Sequence, residues 1–337
     1  MNKKTKTALI VALSLFGAGI IICFCILISV HFDYSKLADS FRVGVNSEEK
    51  VEAEHVDKDI EANGQDLIFN LSSADITVTP SEDDMIHISY DNTEDSYFEF
   101  DEKSGSITLT QKGTRDFFLW TINVQDTEGK VTVSIPVGHK GALKIDGASS
   151  DTSVTGLDVG GKFNIFSVSG EVFIQNCACK TLEAGTTSGE IKLVSLNTGS
   201  IKANTVSGGI ELSDISKSIP VTLASTSGEV YAENVKTKDM GVHTVSGKMS
   251  LKNVSGQTVS LSSTSGSVLL DGADFGEIDF DTVSGDIRGS VVGKAEDYSV
   301  FTDTVSGSNG LSSHKERGER TLDFSSVSGS FDIEFEN

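Results

Sequence analysis

The sequence predicts an all-β chain wound into a parallel β-solenoid of about 19-residue coils, and three observations carry that reading. The first is a dipeptide that returns on schedule. It stands at Ser169-Gly170, Ser188-Gly189, Ser207-Gly208, Ser227-Gly228, Ser246-Gly247, Ser265-Gly266, Ser284-Gly285, Ser306-Gly307 and Ser328-Gly329, at spacings of 19, 19, 20, 19, 19, 19, 22 and 22 residues. The second is that apolar residues fall into columns when these units are aligned on their glycine. The third is composition: 33 Gly, only 3 Pro and 7% aromatic residues suit short strands joined by tight turns.

Aligned on the glycine, the position two residues later reads Val172, Ile191, Ile210, Val230, Met249, Val268, Ile287 and Phe331, broken only by Asn309. The position four later reads Ile174, Leu193, Leu212, Ala232, Leu251, Leu270, Leu311 and Ile333, broken by Gly289. Polar residues such as Glu171, Glu190 and Lys192 lie between, the in–out alternation of a half-buried strand. Five before the glycine a further column reads Ile165, Ala184, Ala203, Leu223, Val242, Leu261, Phe280 and Phe324. A unit this short cannot bury either strand alone. Stacking unit on unit at about 4.8 Å joins each strand to its copy and closes the columns into one core. The crossover rule for parallel strands favours right-handed coiling, and nine regular coils make a rod of roughly 40 Å.

The chain divides in order. Residues 1–7 hold Lys3, Lys4 and Lys6, and residues 8–30 contain no charge over 23 positions, long enough to cross a bilayer. With the lysines before it, that stretch is expected to be an uncleaved signal anchor with a cytoplasmic N-terminus and the remainder outside the cell membrane. Residues 31–64 are mixed and charged and read as a membrane-proximal stalk without a core of its own, and residues 65–147 as irregular first coils. Residues 148–337 form the regular array.

The formal charge of −22 argues against nucleic acid as a partner. Chemistry is hard to assemble. His31, His55, His87, His139, His243 and His314 stand apart, without metal or general-base spacing, and no nucleophile elbow, zinc or phosphate-loop motif is present. Asp279 with Asp281 is a single occurrence without supporting ligands. Cys177 and Cys179, at C-x-C spacing on one strand face, are poorly placed for a disulfide and read as packed thiols. No catalytic residue, cofactor or metal is therefore expected, and the chain reads as a non-enzyme.

The repeated serines are corners in this reading. Gly supplies a positive φ, and hydroxyls at the preceding Ser and three before the Gly (Ser167, Thr186, Thr205, Ser225, Thr244, Ser263, Thr282, Thr304, Ser326) line the inside of the turn. The column two before the Gly is Val168, Thr187, Val206, Thr226, Val245, Thr264, Val283, Val305 and Val327. Strict alternation turns it outward as a regular surface; a bulge at the corner turns it inward, and its Val content favours packing. Two local contact candidates remain: the basic insertion with His314, Lys315, Arg317 and Arg320, and the apolar Arg115–Trp120 stretch with the single Trp120. The acidic Asp332, Glu334 and Glu336 of the last strand are expected to discourage end-to-end pairing.

The opening Asp75-Ile76-Thr77-Val78, the run Val133-Ser134-Ile135-Pro136 and the Ser-Gly-x-apolar-x-apolar coils resemble a bacterial family of putative adhesins of unknown function, over about residues 60 to 337. Some of its members are membrane-anchored proteins of Lia-type cell-envelope stress systems. The resemblance implies a cell-surface binding or scaffold protein with an envelope component or protein as partner. A membrane-associated regulator of envelope stress is the alternative, and a polysaccharide-active β-helix enzyme a more distant third.

Overall fold

The computed structural model describes residues 53–93, 96–103, 105–113, 129–311 and 318–336. The N-terminal strands are β1 (Glu54–Glu61), β2 (Asp66–Leu71), β3 (Asp75–Pro80), β4 (Met85–Asn92), β5 (Ser96–Lys103), β6 (Ser106–Gly113) and β7 (Lys130–Ile135). The array follows as β8 (Leu143–Gly147), β9 (Thr152–Thr155), β10 (Phe163–Ser167), β11 (Val172–Gln175), β12 (Leu182–Thr186), β13 (Ile191–Val194) and β14 (Ile201–Thr205). It continues as β15 (Ile210–Ser225), β16 (Val230–Thr244), β17 (Met249–Lys252), β18 (Ser255–Ser263), β19 (Val268–Thr282) and β20 (Ile287–Val292). A 3-10 turn (Ala295–Asp297) then leads to β21 (Tyr298–Thr304), β22 (Arg320–Ser326) and β23 (Phe331–Glu336).

The array pairs in parallel, coil on coil. Phe163, Ile165 and Ser167 of β10 face Leu182, Ala184 and Thr186 of β12, and Val172 and Ile174 of β11 face Ile191 and Leu193 of β13. The fold is thus the all-β parallel solenoid read from the repeat. Each coil also has a third side. Seven residues after the Gly slot stand Leu157, Cys177, Leu196, Ile215, Val235, Val254 and Ala273, all buried. In the early coils that side is joined only by isolated bridges such as Asp158 to Ala178, too brief to show as a strand pattern. The core file four after the Gly breaks at Gly289 for a backbone reason. Its φ is +125°, an added Cβ would stand 1.7 Å from the Leu270 carbonyl oxygen, and the ladder shifts register beside it.

Both ends depart from chain order. β2 pairs with β8 on one side and β6 on the other, so the first coil lies inside the second. At the far end β22 lies between β19 and β21, and β23 pairs with β20. The outermost rung there is consequently β21, whose corner residue Val305 is 72% exposed for want of a rung above it. On the face that β20 builds, β23 is the last described strand, met on its far side only by a bridge from Asn309 to Phe331, so Asp332, Glu334 and Glu336 stand exposed on an edge strand there. At the opposite end antiparallel partners close the stack, with β5 on β6, β4 on β7 and β1 on β4. Buried Gln111 of β6 completes the closure, its Oε1 accepting the backbone N–H groups of Ser72, Ser73 and Ala74 at 2.8–3.0 Å. A single side-chain carbonyl satisfies three donors at that first corner.

β1 also corrects the reading of residues 31–64. Their last part pairs with β4 along eight positions and packs Val56 and Ile60 against the core. The anchor expected at 8–30 and the stretch 31–52 lie outside the described residues. Among the described residues no helix is long and apolar enough to cross a membrane.

Candidate functional site

The Ser-Gly corner is the most repeated feature of the surface, and its chemistry differs from the expectation in two respects. None of its nine glycines has positive φ. Gly is required by contact instead: a Cβ on Gly189 would lie 1.9 Å from the Gly170 carbonyl oxygen, and one on Gly208 1.8 Å from that of Gly189. The coils press backbone against backbone here. A continuous ladder carries the corner, as in Ser188 N–H to Val168 O at 2.9 Å and Ser265 N–H to Val245 O at 2.8 Å.

The second difference concerns the hydroxyls. The file three before the Gly is buried as expected except at Thr304, which is half-buried. Gly170, Gly208, Gly228 and Gly285 donate their N–H to Ser167, Thr205, Ser225 and Thr282 at 2.8–3.0 Å. Thr186 instead donates to the Gly189 carbonyl at 2.6 Å, and its Oγ1 lies 2.9 Å from that of Thr205. The serines just before the Gly do not line the inside; Ser169, Ser188, Ser207, Ser227, Ser246, Ser265, Ser284, Ser306 and Ser328 are exposed. The Val/Thr file is not packed into the core either. Val168, Thr187, Val206, Thr226, Val245, Thr264, Val283 and Val327 are half-buried on the outer surface, the side that alternation from the file five before the Gly indicates; β10 ends at Ser167, and in the bend that follows Val168 and Ser169 both face out. Together the two files make a straight ridge of β-branched side chains edged by hydroxyls at ladder spacing.

A second corner went unread. Six after the Gly slot, Asn176, Ser195, Asp214, Asn234 and Asn253 have φ between 50° and 58°, and Gly156 and Gly272 in the same file 71° and 65°. Asn and Asp tolerate this left-handed conformation best among residues with a side chain. Their side chains also form a ladder: Asn234 Nδ2 donates to Asp214 Oδ1 at 3.1 Å, and Asn253 Nδ2 to Asn234 Oδ1 at 3.3 Å. The signal was present in the sequence as a seventh aligned column.

The remaining candidates separate. Arg320 is a structural clamp. It donates to Val292 O at 2.8 Å and Tyr298 Oη at 2.9 Å, ion-pairs with Asp274 at 2.8 Å and lies 5.6 Å from the Tyr298 ring. His314, Lys315, Arg317 and Trp120 lie outside the described residues. Cys177 occupies the third apolar file, where burial pushes its thiol up to about 11, and Cys179 lies 3.5 Å from Thr198 Oγ1, so both are packed thiols. Asp279 and Asp281 acquire a neighbour the sequence did not show, Asp323, the register partner of Asp279. Burial first, then Asp281 and Asp323, pushes Asp279 up to about 6. A cleft of about 550 Å³ opens over Asp75, Thr77, Lys130, Asp151, Glu171 and Phe173. Two of its carboxylates are already engaged, Asp75 accepting from Asp151 N–H at 2.8 Å and Asp151 from Glu171 N–H at 2.7 Å.

A family model described as Toastrack DUF4097 matches residues 65–222 and again 200–337. Solved structures resemble the chain at low identity. One is a putative cell adhesion protein from Clostridium sporogenes, 10% identical, covering 85% of this chain and 100% of that one at a TM-score of 0.24. A putative adhesin from Parabacteroides merdae is 14% identical, with 86% and 98% covered and a TM-score of 0.38. A putative lipid binding protein from Parabacteroides distasonis is 11% identical, with 84% and 96% covered and a TM-score of 0.33. No curated protein matches the sequence significantly.

Proposed function

The chain belongs to the Toastrack DUF4097 family, and from that premise we propose that it is a non-enzymatic, adhesin-like binding or scaffold module. In this reading residues 8–30 anchor it in the cell membrane and the solenoid stands outside, in service of the cell-envelope stress response. Its partner is an envelope component or a surface protein, and nucleic acid is not one.

The observation that supports the reading is the outward ridge. Half-buried Val and Thr alternate along a straight corner with exposed serines beside them. A ridge of rigid β-branched side chains loses little conformational entropy on contact, and its ladder spacing suits a ligand that itself repeats. The ion-paired second face offers less, because Lys192–Glu211, Lys248–Glu229 and Lys252–Glu233 already satisfy one another along the stack.

The test is crosslinking capture of surface partners in intact cells, with and without envelope-active antibiotics, for the natural chain and for V168K/V206K/V245K. The expected result is capture by the natural chain and loss in the triple variant at unchanged thermal stability. Undiminished capture by the variant removes the ridge from the proposal, and turnover of a polysaccharide by the purified protein overturns the non-enzymatic reading. If signalling depends on residues 8–30 and fails when they are replaced by an unrelated apolar span, the regulator alternative takes its place.

A further inference from the structure

The outer face of the β1–β4 pair carries an arrangement that neither the ridge nor the core explains. The antiparallel register sets His55 opposite Asp91, Asp57 opposite Ser89 and Asp59 opposite His87. Each histidine is held on both ring nitrogens. His55 Nδ1 lies 2.6 Å from Asp91 Oδ1 and its Nε2 3.2 Å from Asp57 Oδ1. His87 Nδ1 lies 2.6 Å from Asp59 Oδ1 and its Nε2 2.9 Å from Asp83 Oδ1. His87, hydrogen-bonded to a carboxylate at each nitrogen, donates from both, and only the protonated ring can do so. His55 Nδ1 is hydrogen-bonded to Asp91, while its Nε2 faces the Asp57 carboxylate as an ion pair and lies 3.3 Å from Ser89 Oγ.

The rest of β1's attachment is thin. Among the described strands it pairs with β4 alone, and Ile60 is its one fully buried apolar residue, with Val56 partly covered. On the far side of β4, Ser134 and Thr132 of β7 are the register partners of His87 and Ser89, and exposed Lys130 is the charged residue that β7 adds to this face. On β1 itself Lys58 turns away, its ammonium 5.6 Å from the Phe100 ring.

We propose that these two Asp–His–Asp arrays form a proton-operated clasp that docks β1 onto the solenoid cap. The direction follows from which state each array stabilises. The Asp91 hydrogen bond, then Asp57, raise the affinity of His55 for its proton, and Asp59, then Asp83, do the same for His87. A raised histidine contributes in full below about pH 6.5 and loses its contribution as pH climbs through its folded value. Asp83, held near 2 by the Met85 N–H and by His87, remains a carboxylate until far below that range. The clasp is therefore closed in mildly acidic medium and loosens in alkaline medium. It assumes nothing about the N-terminal segment, because the readout is β1.

Hydrogen exchange of the full-length chain in mild detergent tests it. Protection of β1 amides, corrected for chemical exchange and compared with β3 in the same sample, is measured at about pH 5.5 and about pH 8.5. The expected result is a loss of about fivefold in β1 protection at the higher pH, the scale of two exposed ion-paired arrays, with β3 unchanged. The H55Q/H87Q variant is expected to show the lower protection at both values. Protection of β1 that is equal at both pH values, or a pH dependence that survives in the double variant, overturns the clasp. NMR titration gives an independent check: both imidazole midpoints belong above the ordinary 6.5, and midpoints at or below it overturn the proposal.

Discussion

Each coil turns at two named corners, and the two solve the same geometric problem by opposite means. At the Ser-Gly corner the backbone conformation is ordinary, and glycine is required because a carbonyl of the neighbouring coil occupies the space of a side chain. At the Asn corner the conformation is left-handed, and a side chain is welcome because it reaches along the stack to its copy. Glycine in a repeat thus has two separate physical meanings, contact and conformation, and only the second is relaxed by asparagine. The contrast explains the sequence files. Gly is kept at every regular corner of the first kind, whereas Asn, Ser, Asp and Gly alternate at the second.

The sharpest way to break this comparison is a methyl group at the first corner. Gly208→Ala is expected to destabilise by about 3 kcal/mol or more, because backbone rather than a flexible side chain must move. Thermal unfolding close to that of the natural chain would show that the corner is looser than described. A smaller effect, about 2 kcal/mol, is expected for Thr205→Val, which leaves the Gly208 N–H without its acceptor inside the stack. Hydrogen exchange at Gly208 should report that loss locally.

At the second corner the order of effects reverses. Asn234→Ala is expected to cost about 1–2 kcal/mol, since alanine resists the left-handed conformation and the side-chain ladder is cut. Asn234→Gly should cost clearly less, and denaturant midpoints of the two variants decide it; a glycine variant no better than alanine would place the whole effect in the ladder.

The smallest expected effect concerns the strand entering the Ser-Gly corner. Asp279 has its proton affinity raised on folding, so its charged form opposes the fold, and stability rises as pH falls through about 6 toward the ordinary carboxylate value of about 4. Asp279→Asn should remove that pH dependence and stabilise by about 1 kcal/mol at neutral pH. Unchanged pH dependence in the variant would assign it to Asp281, which burial and Asp323 also raise.

Much of this molecule was legible before any coordinates. The spacing of Ser-Gly, the files headed by Val172, Ile174 and Ile165, and the hydroxyls from Ser167 to Ser326 specified the coil, its inward faces and its stacking. Each is a one-dimensional regularity that a ladder repeats in space. The Asn file was equally periodic, but its residues are polar or Gly, lie at or near the surface and carry no hydropathy signal. The cause of the Gly file, the outward Val/Thr ridge and the interleaved ends were decided only by tertiary structure. A carbonyl one coil away and a strand such as β22 slipping between β19 and β21 are relations between segments distant in sequence. The same holds for the clasp. His55 and Asp91, or Asp59 and His87, are unremarkable polar residues until an antiparallel register brings them within hydrogen-bond reach. Periodicity determines what repeats along a chain; only packing determines what meets across it.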